Sequence, residues 1–206
     1  MENLILIILI IPIALTSYVA FSNVEIFDNL KFNAYAINQY KQWYRFFSYA
    51  FIHASWTHLI LNVYVLWAFG LIVIQFFKMF FGNLANIYFL GLFIPAITVS
   101  TIFSFFKNRH NPSYNAVGAS GAISAVVFSS IVLYPQGQMG FIFLPFMIPS
   151  WIFGGLYLIF TVVMARKQID NIGHDAHLWG AFYGIAYTFV FVPNSFNNLI
   201  SYIFHS

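Results

Sequence analysis

Cysteine is absent from this chain, and charged residues make up only 6% of its 206 positions. The first absence removes disulfides, thiol nucleophiles and thiolate metal sites. The second sets the chain apart from soluble domains, in which about a quarter of residues are charged. Basic and acidic runs are also missing, and the net charge of +3 comes from eight cations and five anions, so nucleic acid is not an expected partner. No His-Glu-x-x-His pattern, paired intramembrane acids, internal repeat or low-complexity tract occurs. The early stretch Asn3–Ser22 lacks a basic leader, its one nearby charge being Glu2, and reads as a retained helix rather than a cleaved signal.

What is present is apolar: 61% of residues are hydrophobic and 22% aromatic. A helix crossing the hydrocarbon core needs about 20 such residues. Gly, Pro, Asn and charge divide the chain into six candidate spans, Asn3–Ser22, Trp56–Phe77, Leu84–Phe106, Gly118–Tyr134, Pro149–Ala165 and His174–Val192. The expectation is an all-α membrane protein, one integral domain over residues 1–206 with the lipid bilayer as solvent. Between the first two spans, Asn23–Arg45 interleaves aromatics with Glu25, Asp28, Lys31 and Lys41. That pattern predicts a loop in the membrane interface, with Trp43 and Tyr44 at headgroup level. Lys107–Val117, with Asn111-Pro112, predicts a turn-rich loop, and an amphipathic tail follows Pro193. Six spans leave Lys78 on the side of the termini and Lys31, Lys41, Arg45, Lys107, Arg109, Arg166 and Lys167 on the other, which by the positive-inside rule places the termini outside.

Polar side chains inside apolar spans are costly without partners or a wet cavity, so their positions are informative. Three clusters stand out. His58 and Asn62 are spaced i, i+4 on the second span, with His53 just before it. The fourth span begins Gly118-Ala119-Ser120-Gly121-Ala122, and the sixth begins Gly173-His174-Asp175-Ala176-His177-Leu178-Trp179-Gly180. The spacing of Gly180 and Gly184 offers a close-packing face, as do Gly118, Gly121, Ala122 and Ala125. If those faces meet, Ser120 and His177 lie at similar depth, as base-activated attack requires. Asp175 is i−2 from His177 and points elsewhere on the helix, so the arrangement is a Ser–His dyad without a third acid. His58, Asn62 and the Ser120 N–H are candidate oxyanion donors. Taken singly, each cluster has a plainer reading. Small residues accompany helix packing, and His58 and Asn62 suit interhelical hydrogen bonds worth on the order of 0.6 kcal/mol. His53 and His174 suit capping or loop ordering. Joint occurrence favours chemistry.

The ordered set resembles the rhomboid family of intramembrane serine proteases. The resemblance runs through Tyr44-Arg45, Phe51-Ile52-His53, His58-Leu59-Ile60-Leu61-Asn62 with Gly70, Gly118-Ala119-Ser120-Gly121-Ala122, and Ala176-His177-Leu178-Trp179-Gly180 with Gly184. It covers a core of about residues 43–192 and implies a six-helix bundle with a membrane-embedded first loop. It implies Ser120 as nucleophile, His177 as general base, and His58, Asn62 and the Ser120 amide as the oxyanion set. Arg45 matches an arginine that orders the first loop, and His53 matches a position that shapes the cavity. No metal or cofactor is implied, and the implied substrates are transmembrane segments of membrane proteins. The resemblance also implies a bacterial plasma membrane with the site opening to the extracytoplasmic side, against the charge count.

Two departures matter. The usual Trp-Arg pair is Tyr44-Arg45, with Trp43 one place earlier. Many members carry an aromatic four residues after the nucleophile, stacked on the base, where this chain has Ser124. Trp179, Tyr183 or the Ser124 hydroxyl are then candidates to hold His177. Pro145 and Pro149, within Phe141–Trp151, suit a pliable gate beside the fifth helix for lateral entry of substrate. Alternatives are an inactive rhomboid-like chaperone or scaffold, a small proton-coupled transporter, and, last, a zinc site of His53, His58, His174 and His177.

Overall fold

A computed structural model describes residues 4–140, 147–167 and 173–205. The described chain is largely helical: α1 (Leu4–Ser22), α2 (Val24–Leu30), α3 (Ala34–Tyr40), α4 (Arg45–Ser48), α5 (Trp56–Phe81), α6 (Ala85–Asn108), α7 (Ser120–Leu133), α8 (Ser150–Lys167), α9 (His174–Phe191) and α10 (Ser195–His205). Two short antiparallel pairings accompany them. β1 (Phe32–Asn33) pairs with β2 (Asn115–Ala116), and β3 (Gln138–Met139) pairs with β4 (Ile148–Pro149). Asn3 and Pro145 lie outside the described residues; Pro149 sits in β4 and Trp151 in α8.

The long helices follow the apolar stretches closely. The largest difference is at α5, which runs on to Phe81 rather than stopping at Phe77. Lys78 falls in its last turn, where a cation favours the negative end of the helix, and the chain leaves at Gly82 with φ +56°. Among the described residues, two stretches are long and apolar enough to cross a membrane, Leu4–Ser22 and Trp56–Asn108, the latter holding α5 and α6. Helix α7 is apolar but shorter. In α10, Phe196, Ile200 and Phe204 are exposed along one face at i, i+4, i+8 spacing.

The segment expected as a loop, Asn23–Arg45, contains α2 and α3. Asn23 and Asn33 start them, their side chains accepting from the Ile26 and Ala36 N–H groups at 3.0 and 2.7 Å. Trp43 and Tyr44 at its end are exposed.

Helix α7 is the centre of the molecule, packed between α5, α6 and α9 and buried along nearly its whole length. Helix α9 lies tightest against it. A Cβ placed on Gly180 would run into the backbone oxygen of Gly121, and one on Gly184 into that of Ala125. The two backbones therefore touch, as small residues one turn apart allow. Further along the same contact the Thr188 hydroxyl donates to Ser129 Oγ at 2.7 Å. Helix α8 is different. It leans on α9 and α7 but is buried only at Ser150, Gly154 and Thr161.

Candidate active site

The close approach of α7 and α9 fixes depth. Ser120 is the first residue of α7, and His177 stands one turn before Gly180 near the start of α9. With Gly180 seated on Gly121, the two side chains meet: His177 Nε2 lies 2.7 Å from Ser120 Oγ. That is within reach for proton transfer from a hydroxyl to an imidazole. As the first residue of a helix, Ser120 also has a backbone N–H with no intrahelical acceptor, at the positive end of the helix dipole.

A cavity of about 700 Å³ opens beside the pair, walled by α5, α7 and α8. Asn62, Ser120, Ser124, Tyr157 and His177 line it, and β3 closes its far end through Gln138 and Met139. Asn62 is buried, its amide nitrogen donating to the His58 carbonyl at 2.8 Å, while Oδ1 has no hydrogen-bond partner among the described residues. His58 reaches the same region from another direction. Its ring lies against Gly118, where a Cβ would come within 2.7 Å of Cε1, and Gly118 has φ +101°, open to glycine at little cost. The proposed oxyanion groups thus gather around the start of α7.

His53 is fully buried behind His58, ring centroids 4.9 Å apart, with Nδ1 2.9 Å from Ser17 Oγ of α1. Burial, and to a lesser degree the neighbouring His58, pushes its imidazole down to about 3, so it is neutral at ordinary pH. His174 is buried too, edge-on to Phe160 at 5.8 Å and to His177 at 6.1 Å. Among the described residues no group of three or more His, Asp or Glu is arranged to hold a metal; the four histidines raised as a zinc site form two ring pairs. Asp175 is engaged with Lys107 of α6 at 2.7 Å, on another side of the helix from His177.

Arg45 is buried in the first loop, far along the chain from Ser120 but connected to it. Its Nη1 donates to the Asp28 and Lys31 carbonyls at 2.8 and 2.7 Å, and Nε to Gln42 Oε1 at 2.6 Å. The segment so gathered carries β1, which pairs with β2 just before Gly118, and the Gly118 N–H donates to the Tyr49 carbonyl at 2.9 Å. The loop that presents Ser120 is braced by the loop that Arg45 ties together.

Two of the candidates named to hold His177, Trp179 and Tyr183, are engaged elsewhere. Trp179 packs on Phe103 and Phe182, and the Tyr183 hydroxyl donates to the Gly91 carbonyl at 2.9 Å. Residues two and six places from His177 fall on other faces of α9, which is the reason. Instead, Tyr157 Oη of α8 lies 3.2 Å from His177 Nδ1. Nothing local in the sequence marks Tyr157; only the empty place at Ser124 hinted that another ring must fill it.

Comparison with known proteins identifies the family. The Rhomboid domain family matches residues 40–194. The chain is 32% identical over 153 residues to the presenilin-associated rhomboid-like protein, mitochondrial, of Bos taurus and 31% identical over 153 residues to that of Homo sapiens. Each match covers 66% of this chain and 35% of the relative. The Danio rerio protein A of the same description is 29% identical over 145 residues, covering 67% of this chain and 35% of its own. The chain thus spans about a third of the length of these curated relatives. Their names place them in mitochondria, which gives no support to the expected bacterial plasma membrane. On a family match that takes in the Arg45 loop, the α5 polar pair, Ser120 and His177, the chain belongs to the rhomboid family.

Proposed function

We propose that the protein is an intramembrane serine endopeptidase that hydrolyses peptide bonds in or near transmembrane segments of other membrane proteins. The observation that carries this is the 2.7 Å approach of His177 Nε2 to Ser120 Oγ at the wall of a cavity between α5 and α8. In this reading α1, α5, α6, α7, α8 and α9 form a six-span bundle over a single domain, and the first loop lies in the membrane interface. The ends of α5, α7 and α9 that hold the site face the compartment opposite the start of α1.

His177 takes the Ser120 proton as Oγ attacks the scissile carbonyl carbon. The carbonyl oxygen becomes an oxyanion at the start of α7, within reach of the Ser120 N–H, the Asn62 amide and the His58 ring. The tetrahedral species collapses, the C–N bond breaks, and His177 returns its proton to the leaving amine. Water then enters, loses a proton to His177 and attacks the acyl-serine; collapse releases the carboxylate product and restores Ser120. Every proton in the cycle is carried by His177. A strand-like or unwound segment fits the cavity better than a helix, because helical hydrogen bonds shield the carbonyl from attack. The cavity walls of α5 and α8 suit lateral entry.

The test is cleavage of a single-span reporter by the purified protein in proteoliposomes, alongside labelling by a fluorophosphonate. Ser120→Ala and His177→Ala should each lower cleavage by about ten-thousandfold or more and abolish labelling. Undiminished cleavage by Ser120→Ala would end the serine mechanism. Binding of the reporter without cleavage by the wild type would favour the scaffold alternative, and ion-driven uptake surviving both substitutions would favour the transporter.

A further inference from the structure

A histidine that serves as base through Nε2 must carry its neutral-state proton on Nδ1, and proteins select that tautomer with an acceptor placed at Nδ1. A carboxylate is the usual device. Among the described residues, Asp175, two places from His177, is committed elsewhere, to Lys107 of α6. What stands 3.2 Å from Nδ1 is the phenol of Tyr157. Its ring is held from two sides, by Phe128 of α7 at 5.9 Å and by Phe153, stacked at 6.3 Å with an interplanar angle of 15°. Ser124, Tyr157 and His177 all line the cavity. The small side chain at 124 leaves the space that a ring from α8 occupies.

We infer that Tyr157 is the positioning residue for His177. Its oxygen accepts the Nδ1–H bond, which leaves Nε2 unprotonated toward Ser120. When Nε2 takes the Ser120 proton, the same Nδ1–H bond becomes charge-assisted and strengthens, stabilising the imidazolium. The acceptor for the base thus comes from α8, the cavity wall, rather than from the nucleophile helix. Displacing α8 outward therefore withdraws the acceptor from the base, so wall position and base orientation are coupled. Among the described residues, Ser120 on α7 and His174 on its own helix also face His177.

This inference rests on the proposed hydrolase reading, and the experiment separates the two. The full chain in detergent micelles is labelled with a fluorophosphonate across a range of pH, as wild type, Tyr157→Phe and a remote control, Tyr202→Phe in α10. Phenylalanine keeps the ring and removes only the oxygen. Tyr157→Phe should label about tenfold more slowly, the usual loss for a hydrogen bond to a charged group, with the acidic limb of its profile moved to lower pH. The limb moves down because the imidazolium loses an acceptor. Tyr202→Phe should match the wild type. An unchanged rate and limb in Tyr157→Phe overturns the assignment, and so does a lower rate with an unmoved limb, which marks a packing role. A second measurement needs no active protein: ¹⁵N-histidine NMR of wild type, with His177 assigned by His177→Gln, should show the Nδ1–H tautomer. A dominant Nε2–H tautomer overturns the assignment even if labelling succeeds, and an unlabelled wild type overturns the hydrolase reading and with it this role.

Discussion

The two helices that reach His177 are built on opposite terms. The contact of α9 with α7 is a glycine seam in which backbone meets backbone, and it leaves no room for adjustment at Gly180 or Gly184. The contact of α8 is side chain on backbone or on side chain. A Cβ on Gly154 would come within 3.0 Å of the Ile131 methyl, and one on Gly155 would meet none of the described residues within 4 Å. The protein thus fixes nucleophile and base against each other rigidly, and builds the cavity wall from a helix with few buried anchors. Local stability differs across a fold in this way, and the parts that admit ligands come from its weaker end.

Substitutions that exchange the terms of the two contacts test this contrast. The largest effect is expected from Gly180→Leu, whose side chain has only the Gly121 backbone to displace. Its cost should exceed the ~1–3 kcal/mol typical of core overpacking and abolish a folded, monodisperse species in detergent. A folded Gly180→Leu with normal thermal stability would show the seam to be compliant. The second test is acid. His53 backs the turn into α7 at Gly118. Its folded-state pKa of about 3 lies below the ordinary 6.5, so the unfolded chain binds the proton more readily. The stability this burial leaves is complete above pH 6.5 and declines as pH falls toward 3. Thermal denaturation of wild type should weaken through that window, and His53→Gln should flatten the dependence.

A smaller effect is expected deeper in the seam. Thr188→Val removes the donor to Ser129 Oγ and should cost about 1 kcal/mol by thermal denaturation. The smallest change has the opposite sign. Gly155→Ala on α8 adds a methyl to open space and should stabilise the protein by up to about 1 kcal/mol through helix propensity alone. A destabilised Gly155→Ala would mean that α8 is packed as closely as α9, and the contrast would fail.

Much of the site was legible because its residues lie in short local patterns. Ser120 among glycines, His177 one turn before Gly180, and the i, i+4 pair His58 and Asn62 could each be read in a window of a few residues. The long helices were legible because apolar runs and their punctuation are one-dimensional signals. The helices α2 and α3 were not, since their asparagine caps sit among aromatics and charges that read equally well as a loop. Tyr157 was not, since its role arises only when α8 packs beside α9, and Tyr is common here, with 13 in the chain. The bonds of Arg45 to two backbone carbonyls belong to the same class: a backbone acceptor has no residue type to announce it.

The cavity is lined along α5 from Leu61 to Ile72 and along α7 from Ser120 to Ser130, with Phe153 and Tyr157 of α8 opposite, so it runs with the length of these helices. Under the proposed activity, encounter with substrate is then a two-dimensional event. The quantity that drives it is substrate per lipid, not substrate per volume of buffer. Diluting a proteoliposome suspension should leave the turnover of each vesicle unchanged, whereas adding lipid to the same vesicles should slow it. The half-saturation point of such an enzyme is a mole fraction, and rates compared between bilayers and micelles carry that unit with them.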